Sequence, residues 1–355
     1  MDRRDFMKLA GSSALLLAAS RRAMAEPSAD MWHAVELEYT VALPTQGASA
    51  RLWLPMPARH RETFQLVWRE SWKGSAPVGM ITTDARTGVA LFYAGWDRPG
   101  AKAVTVRAQV DLRNRQADLS RADESAAASL PGNVCQYLAP SRHVPTDGIV
   151  FSTAQDATRG ARSPLEKARA IYDWVVQHTF RDPKVQGCGV GDVKSLLESG
   201  TLGGKCADIS SLFVGLCRAA GIPARSMFGI RVGPSAISPA LSAGEDISEA
   251  QHCRAEFYLA GTGWIPVDPA DVGKVVLDER LPLSDPKVQA IRRRLFGFWE
   301  MNWVAFNHAR DFALEPPKPG LALNYFMYPQ ALVAGVPRES TVPSAFRYRI
   351  RGQSL

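Results

Sequence analysis

The chain has 355 residues, of which 46% are apolar, so it is long enough for two or three packed domains. Its formal net charge is +7, but residues 1–25 hold five basic and two acidic residues, and the remaining 37 basic and 33 acidic residues give +4. This small charge does not indicate a nucleic-acid partner, and no cluster of basic and aromatic residues in residues 26–355 indicates one either.

Residues 1–25 have the organisation of an export signal. Arg3 and Arg4 precede an apolar run at residues 9–19, and Ala23-Met24-Ala25 supplies the small residues of a cleavage site. An apolar run of about 11 residues is too short to span a bilayer. We therefore expect a twin-arginine-type signal that is removed on export, and a periplasmic mature protein without a membrane span.

The next segments alternate between apolar and polar residues. The alternation is strict over residues 32–41, and shorter runs of the same kind recur up to residue 110 between Pro, Gly and Asp turns. This pattern predicts an antiparallel β-sandwich over residues 30–112. Residues 113–160 lack such a pattern, and we interpret them as a connector that packs across two domains.

A second domain is predicted over residues 161–275, and it opens on a helix start. Ser163 is a cap residue, a proline follows it, and Glu166 stands three positions further on, which is the pattern of a capping box. Apolar residues then recur at helical spacing. The helix is therefore expected to run to about His178.

Residues 203–223 predict an amphipathic helix that begins near Cys206 and stops at Gly221. The free N–H groups and the dipole at a helix start favour an anion, so a thiol at this place loses its proton more easily. Cys206 is therefore a candidate nucleophile. From this segment alone, a small buried cysteine at a helix start is an equally good interpretation.

A Gly-containing turn at residues 260–263 joins two short strands, which predicts a β-hairpin. Alternation in the first strand places His252, Arg254 and Glu256 on one polar face, so His252 is expected to point away from the core. Asp268 ends the second strand, and the hairpin brings it beside His252. An imidazole oriented by a carboxylate can take a proton from a thiol, as in cysteine hydrolases and acyltransferases.

Residues 276–355 are expected to form a C-terminal extension that packs on the second domain. An aromatic-rich helix is predicted over Ala290–Asn307, and an irregular Pro-rich tail is predicted to follow it. His308, just after the predicted helix, is interpreted as a structural residue.

Three segments resemble conserved boxes of the transglutaminase-like superfamily: residues 203–225, 252–258 and 263–269. The resemblance covers residues 163–275 and implies an α+β fold, with a papain-like core behind the N-terminal β-sandwich. It also implies roles for individual residues. Cys206 would be the nucleophile, His252 the base and acid, and Asp268 the orienting carboxylate.

The resemblance implies a cysteine-dependent hydrolase or acyltransferase that acts on peptide or amide bonds through a thioester acyl-enzyme. Hydrolysis is favoured over cross-linking, because the sequence shows no calcium loop of the kind that cross-linking members use. No phosphate-binding loop is present either, and we expect no cofactor. The alternative is a catalytically inactive member that binds or scaffolds other molecules.

Two residues are candidates for the side chain that stabilises an oxyanion together with the backbone N–H of Cys206. They are Gln186, in a glycine-rich loop, and Trp174, on the first helix of the second domain. Arg254 stands where many members of the family have an aromatic residue. It either acts on the imidazole or on an acidic substrate, or it pairs with Glu256 or another surface acid.

The five cysteines allow more than one oxidation state. If Cys206 is the free thiol, three pairings are open for the other four, and five reduced thiols fit the sequence equally well. These four are Cys135, Cys188, Cys217 and Cys253. A zinc site made of Cys188, Cys206, Cys253 and His252 lacks the usual ligand spacing, so no metal is expected.

Overall fold

The computed structural model describes residues 31–44, 49–59, 63–120, 130–315, 321–343 and 346–355. The export signal predicted for residues 1–25 lies outside the described residues, as do residues 121–129 of the predicted connector. Within the described ranges, no helix is both long and apolar enough to cross a membrane.

The alternating N-terminal segments form two antiparallel sheets. Along β1 (His33–Leu43), every second residue from Val35 onwards is buried, as the alternation predicts. The next strands are β2 (Ala50–Pro55), β3 (Gln65–Gly74), β4 (Val78–Thr83), β5 (Ala90–Trp96), β6 (Lys102–Leu112) and β7 (Arg115–Gln116). Strands β1, β6 and β3 are neighbours in one sheet, and β2, β5 and β4 in the other. Buried residues of both sheets share one apolar core, which makes a β-sandwich.

Helices and short strands follow the sandwich. They are α1 (Gly132–Cys135), α2 (Gly148–Ala157), α3 (Pro164–His178), β8 (Phe180–Arg181), α4 (Val193–Glu198), β9 (Gly203–Gly204) and α5 (Cys206–Ala219). The predicted capping box starts α3: Ser163 Oγ accepts a hydrogen bond from the Glu166 N–H (3.2 Å). The helix ends at His178, so this prediction is confirmed.

The remaining elements belong to the sheet of the second domain, to the helix that follows it and to the C-terminal extension. They are β10 (Ala224–Arg231), β11 (Gln251–Leu259), β12 (Gly263–Val267), α6 (Pro269–Asp278), α7 (Pro286–Arg294), β13 (Phe298–Trp299), β14 (Trp303–Asn307), β15 (Phe312–Ala313), β16 (Ala322–Leu323), β17 (Gln330–Val333), β18 (Val336–Pro337) and β19 (Tyr348–Ser354).

Helix α5 packs on an antiparallel sheet with the order β12-β11-β10-β14. The face of α5 that carries Phe213 meets Phe257 of β11, with ring centroids 6.2 Å apart. Strands β11 and β12 form the predicted hairpin, in which Ala255 is paired with Val267. The start of α5 and the end of the hairpin are thus held against each other by one core.

The aromatic-rich helix predicted over Ala290–Asn307 is wrong. The helix stops at Arg294, and Gly297 follows with a φ of 103°, which a helix does not accommodate. The aromatic residues beyond it lie in β13 and β14, and β14 pairs with β10. A continuously apolar run has no period that separates a buried strand from a buried helix, which explains the error.

The C-terminal strands complete both N-terminal sheets. Strand β19 pairs with β1, with Tyr39 opposite Ile350, and β17 pairs with β2, with Trp53 opposite Gln330. The extension was predicted to pack on the second domain. It contributes β14 to the sheet of that domain, and it contributes strands to the sandwich as well.

Candidate active site

Cys206 is the first residue of α5, and its side chain is buried at 2% exposure. The helix start is fixed by Asp208, whose carboxylate accepts hydrogen bonds from the N–H groups of Lys205 (2.9 Å) and Gly191 (2.8 Å). The N–H of Ala207 donates to the carbonyl of Cys188 (2.8 Å). The N–H of Cys206 heads the helix and has no acceptor within it.

The hairpin holds His252 against Asp268. His252 Nε2 lies 2.8 Å from Asp268 Oδ2. His252 and Cys206 line the same cavity, and the charge of the imidazole helps to lower the pKa of the Cys206 thiol. The structure therefore brings together the three residues that the sequence selected as nucleophile, base and orienting carboxylate.

The polar face of β11 is buried, which corrects the expectation that His252 points away from the core. His252, Arg254 and Glu256 are each at most 4% exposed. The rings of Trp303 and Trp299 lie 4.8 and 5.8 Å from the Arg254 guanidinium on this face, and Trp303 Nε1 donates a hydrogen bond to the His252 carbonyl (3.0 Å). Polar residues at alternate positions can line a second buried face when each of them has a partner.

Arg254 does not pair with Glu256 or with a surface acid, so that prediction is wrong. Its Nε lies 3.4 Å from Asp268 Oδ2, and its Nη1 donates to the Glu300 carbonyl (2.9 Å). Burial lowers the pKa of Arg254 to about 10, so it stays charged at neutral pH. Arg254 thus contacts the carboxylate that orients His252 and does not line the cavity at Cys206.

Glu256 is held by two other arginines. Its carboxylate accepts hydrogen bonds from Arg115 Nη1 (2.6 Å) and Arg225 Nε (2.5 Å). The hairpin therefore uses a separate set of cations to neutralise this buried acid.

Asp271 is a fourth charged residue of the site, and the sequence analysis missed it. Its Oδ1 lies 3.4 Å from His252 Nε2, and Arg231 Nη2 donates to both of its carboxylate oxygens (2.7 and 2.9 Å). The Asp271 N–H donates to Asp268 Oδ1 (3.1 Å), so Asp268 caps α6. An acid three residues after a capping acid is a local signal that could have indicated this pair.

The charges of this group favour a thiolate and an imidazolium. Hydrogen bonds from Cys188, Cys253 and His252, with the charge of His252, hold the pKa of Cys206 well below its usual value despite burial. Burial alone would lower the pKa of His252, but the carboxylates of Asp271 and Asp268 outweigh it and raise that pKa. Both shifts favour the pair of charged forms.

Three cysteines meet at the start of α5. The Sγ atoms of Cys188, Cys206 and Cys253 all lie within 4.8 Å of one another. All five cysteines are free thiols in the structure, so none of the open pairings is formed. Sequence spacing failed to indicate this cluster because the loop with Cys188 and the strand with Cys253 converge only in the fold.

Among the residues that the structure describes, two groups could hold a metal ion by geometry: the three thiols, and His252 with Asp268 and Asp271. The second group already has two buried arginines, Arg231 and Arg254, against its carboxylates. A further cation there would meet like charges at short range, which disfavours a metal.

A cavity of about 410 Å³ opens at Cys206 and His252. Basic residues in its lining are Arg181, Lys205, Arg231 and Lys274, and acidic ones are Asp246 and Glu249. The wall formed by residues 242–251 is held by β19, because the Ile247 N–H donates to the Ile350 carbonyl (2.9 Å) and the Gly352 N–H to the Glu245 carbonyl (3.0 Å).

Neither predicted side-chain donor for the oxyanion lines this cavity. Gln186 Nε2 donates to Thr341 Oγ1 (2.8 Å), and Trp174 stacks on His178 with ring centroids 4.3 Å apart. Tyr328 does line the cavity, as does Cys188. It lies in an irregular segment without any periodic pattern, so the sequence offered no signal for it.

Comparisons with known proteins agree with this geometry. The profile of the transglutaminase-like superfamily matches residues 152–269. An uncharacterized protein of Haemophilus influenzae is 39% identical over 327 residues, covering 87% of this chain and 88% of that protein.

Among solved structures, a protein of Cytophaga hutchinsonii that is provisionally described as a cysteine protease is similar at 17% identity. The match covers 91% of this chain and 98% of that one, with a TM-score of 0.55. The periplasmic domain of TgpA from Pseudomonas aeruginosa also matches at 17% identity, over 73% and 92% of the two chains, with a TM-score of 0.36. The first of these likenesses confirms the predicted α+β fold class.

Proposed function

The chain belongs to the transglutaminase-like superfamily, a family that includes cysteine-dependent hydrolases and transferases, and from this membership we propose that it hydrolyses peptide or amide bonds. Cys206 is the nucleophile, His252 the base and acid, and Asp268 the orienting carboxylate. The observation that supports the proposal is the 2.8 Å contact of His252 Nε2 with Asp268 Oδ2, in a cavity that His252 lines together with Cys206.

The reaction starts from the ion pair of Cys206 and His252. The thiolate attacks the amide carbonyl, the imidazolium donates its proton to the leaving amine, and a thioester remains on Cys206. A water molecule, deprotonated by the imidazole, then attacks the thioester and releases the acid. Asp268 stabilises the imidazolium in both steps and accepts the hydrogen bond of its Nε2.

The oxyanion needs hydrogen-bond donors at the place where its charge develops. The N–H of Cys206 is one donor by position, because the first N–H of a helix has no intrahelical acceptor. We assign the second donor to the hydroxyl of Tyr328, which borders the same cavity. Burial raises the pKa of Tyr328 well above its usual value, so this hydroxyl keeps its proton.

The place of action is proposed from the sequence. The twin-arginine pattern of residues 1–25 supports export to the periplasm. Changing Arg3 and Arg4 to Lys is expected to keep the protein in the cytoplasm, and fractionation of cells with an antibody against the chain tests this. A periplasmic product from the double variant would contradict the proposed route.

Mass spectrometry of a peptide library tests the proposed reaction. Wild-type protein is incubated with the library, with and without a primary amine, beside Cys206→Ala and the matched control Cys135→Ala, which changes an exposed thiol. Hydrolysis yields shorter peptides or side-chain acids in the wild type and in Cys135→Ala, and none in Cys206→Ala. Products that contain the amine would identify transfer instead, and equal products in all three proteins would refute the proposal.

A further inference from the structure

In the thiol cluster of Cys188, Cys206 and Cys253, only Cys206 forms a bond in the proposed hydrolysis, and the other two thiols help to lower its pKa. Its members are at most 4% exposed, and their sulfur atoms lie within 4.8 Å of one another. Two of the three, Cys188 and Cys206, line the cavity that admits substrate. A small oxidant that enters this cavity therefore meets two thiols side by side.

Oxidation begins at a thiolate, because the thiolate is the nucleophile that attacks a peroxide. Cys206 is that thiolate, since His252 and the two neighbouring thiols stabilise its charge. Its sulfur attacks one oxygen of hydrogen peroxide, the O–O bond breaks and hydroxide leaves. The product is a sulfenic acid on Cys206, whose sulfur has been oxidised by two electrons while the peroxide has been reduced.

Of the two neighbouring thiols, Cys188 is the better placed to react with that sulfenic acid. It lies on a loop between Gly187 and Gly189, which adopt positive φ of 55° and 89°, and it borders the cavity from which the oxidant arrives. Its carbonyl accepts the N–H of Ala207 (2.8 Å), so the loop is held against the start of α5.

Cys253 is held differently. It lies within β11, opposite Phe228 of β10, and its side chain is fully buried outside the cavity lining. A disulfide needs the two sulfur atoms to approach to about 2.05 Å. A glycine-flanked loop can make this approach more easily than a strand residue that is paired with β10.

We propose that Cys188 is a resolving thiol, which converts peroxide-oxidised Cys206 into a Cys188–Cys206 disulfide that a small thiol can reduce. The Cys188 sulfur attacks the sulfenic sulfur, an S–S bond forms, and the hydroxyl leaves as water with the proton of Cys188. The disulfide keeps Cys206 from further oxidation to a sulfinic acid, which thiols do not reduce. This inference requires the reactive thiol of Cys206 but no turnover of any substrate.

The test follows the thiols themselves. Reduced protein is treated with a small excess of hydrogen peroxide, and one portion is digested without reduction and analysed by mass spectrometry. A second portion of the oxidised protein is treated with dithiothreitol and then with iodoacetamide, and the alkylated fraction of Cys206 is measured. Wild type and the control Cys135→Ser are expected to give a linked Cys188–Cys206 peptide. After dithiothreitol treatment, nearly all of their Cys206 should again react with iodoacetamide.

Cys188→Ser should give no linked peptide, and at least about tenfold less Cys206 should be recovered, because the sulfenic acid proceeds to a sulfinic acid. Cys188→Ala should behave in the same way, and circular dichroism of both variants checks that they are folded. Cys253→Ser is expected to form the linked peptide as wild type does. A Cys206–Cys253 peptide in the wild type, or equal recovery in wild type and Cys188→Ser, would overturn the inference.

These outcomes are separate from those of the proposed function. A Cys206 that reacts with neither iodoacetamide nor peroxide would contradict the nucleophile itself, and with it both proposals. A reactive Cys206 that is not joined to Cys188 contradicts the resolving role alone.

Discussion

Asp268 holds His252 and a helix with the same carboxylate. Its Oδ2 lies 2.8 Å from His252 Nε2, while its Oδ1 accepts the N–H of Asp271 at 3.1 Å and so caps α6. The orientation of the imidazole is therefore tied to the position of a helix, and the hairpin alone does not determine it.

Replacing Asp268 by Asn should separate these two tasks. The amide oxygen can still cap α6, so the fold should be kept, but the thermal midpoint is expected to fall because buried Arg254 loses the charge of the carboxylate 3.4 Å from its Nε. The negative charge that stabilises the imidazolium is lost, and kcat/KM should fall by about 10³–10⁴-fold. Steady-state kinetics and thermal unfolding of the same preparation check this, and near-wild-type kinetics would remove Asp268 from the catalytic group.

The alkylation of Cys206 should persist to unusually low pH. Its pKa lies well below that of a free thiol, so the thiolate and its reaction with iodoacetamide are lost only when the pH falls through that lowered value. Replacing His252 by Gln removes a hydrogen bond and a positive charge, and the alkylation profile should move to higher pH. Peptide mapping of iodoacetamide-treated protein across pH, with exposed Cys135 as the internal reference, measures both profiles. Identical profiles for wild type and variant would contradict the ion pair.

Removing only one partner of the Arg231–Asp271 ion pair should lower the stability of the protein. Both side chains are at most 5% exposed, so Arg231→Met leaves a buried carboxylate beside His252. We expect a loss of about 3–5 kcal/mol in the free energy of unfolding. Urea denaturation measures this loss, and Arg231→Met with Asp271→Leu, which removes both charges, should recover most of it.

The effect of pH on this variant has a definite sign. Against the effect of burial, Arg231, His252 and Arg254 hold the pKa of Asp271 below its usual value, so the ionised carboxylate stabilises the fold at neutral pH. This contribution is lost as the pH falls through the lowered pKa. In Arg231→Met the unpaired carboxylate is neutralised more easily by protonation, so the deficit relative to wild type should shrink as the pH is lowered. A deficit that is constant from neutral to acid pH would contradict this explanation.

Gly229 is paired with His252 across the sheet, and no side chain fits there. A Cβ at this position would lie 2.2 Å from the Val304 carbonyl oxygen and 2.6 Å from the ring of Trp303, whose Nε1 donates to the His252 carbonyl. Gly229→Ala should therefore destabilise the protein by about 2–3 kcal/mol. Gly132→Ala, where the added Cβ meets no atom within 4 Å, is the matched control for the same denaturation experiment. Equal free energies of unfolding for the two variants would contradict this, because they would mean that β14 moves away from the added Cβ without loss of stability.

Tyr328→Phe should act on kcat and leave KM nearly unchanged. Removing one oxyanion donor typically lowers kcat by about 10²–10³-fold, because the donor interacts mainly with the transition state. Kinetics on a peptide that the wild type cleaves, with Gln186→Ala and Trp174→Phe as comparisons, distinguish the three candidates. A rise in KM at constant kcat would instead make Tyr328 a substrate-binding residue.

The sequence predicted those parts of the site that rest on local patterns. The capping box of α3, the start of α5 at Cys206 and the hairpin from His252 to Asp268 are each encoded within some twenty residues. The positions of Cys188 and Tyr328 in the cavity lining could not be found in this way. Their loops have no hydrophobic period, and only the packing of distant segments places them beside Cys206.

Burial of charge was the second limit of sequence reasoning. The alternation in β11 correctly separated His252 and Arg254 from the apolar residues, yet polar residues on one face normally indicate solvent. The tryptophans packed against Arg254, Trp299 and Trp303, come some fifty residues later, from a run that was predicted to be a helix. Whether a polar face is exposed therefore depended on a neighbour that local patterns do not reveal.

The pairing of β19 with β1 also has a consequence for the order of assembly. Residues 348–354 must be synthesised before β1 can gain this neighbour, which makes the sheet a contact of very long sequence separation and a late step in folding. The same strand holds the wall at residues 242–251, so the cleft reaches its final shape only when that late strand docks. A nascent chain that already contains Cys206, His252 and Asp268 thus lacks a finished cleft until translation has passed this strand.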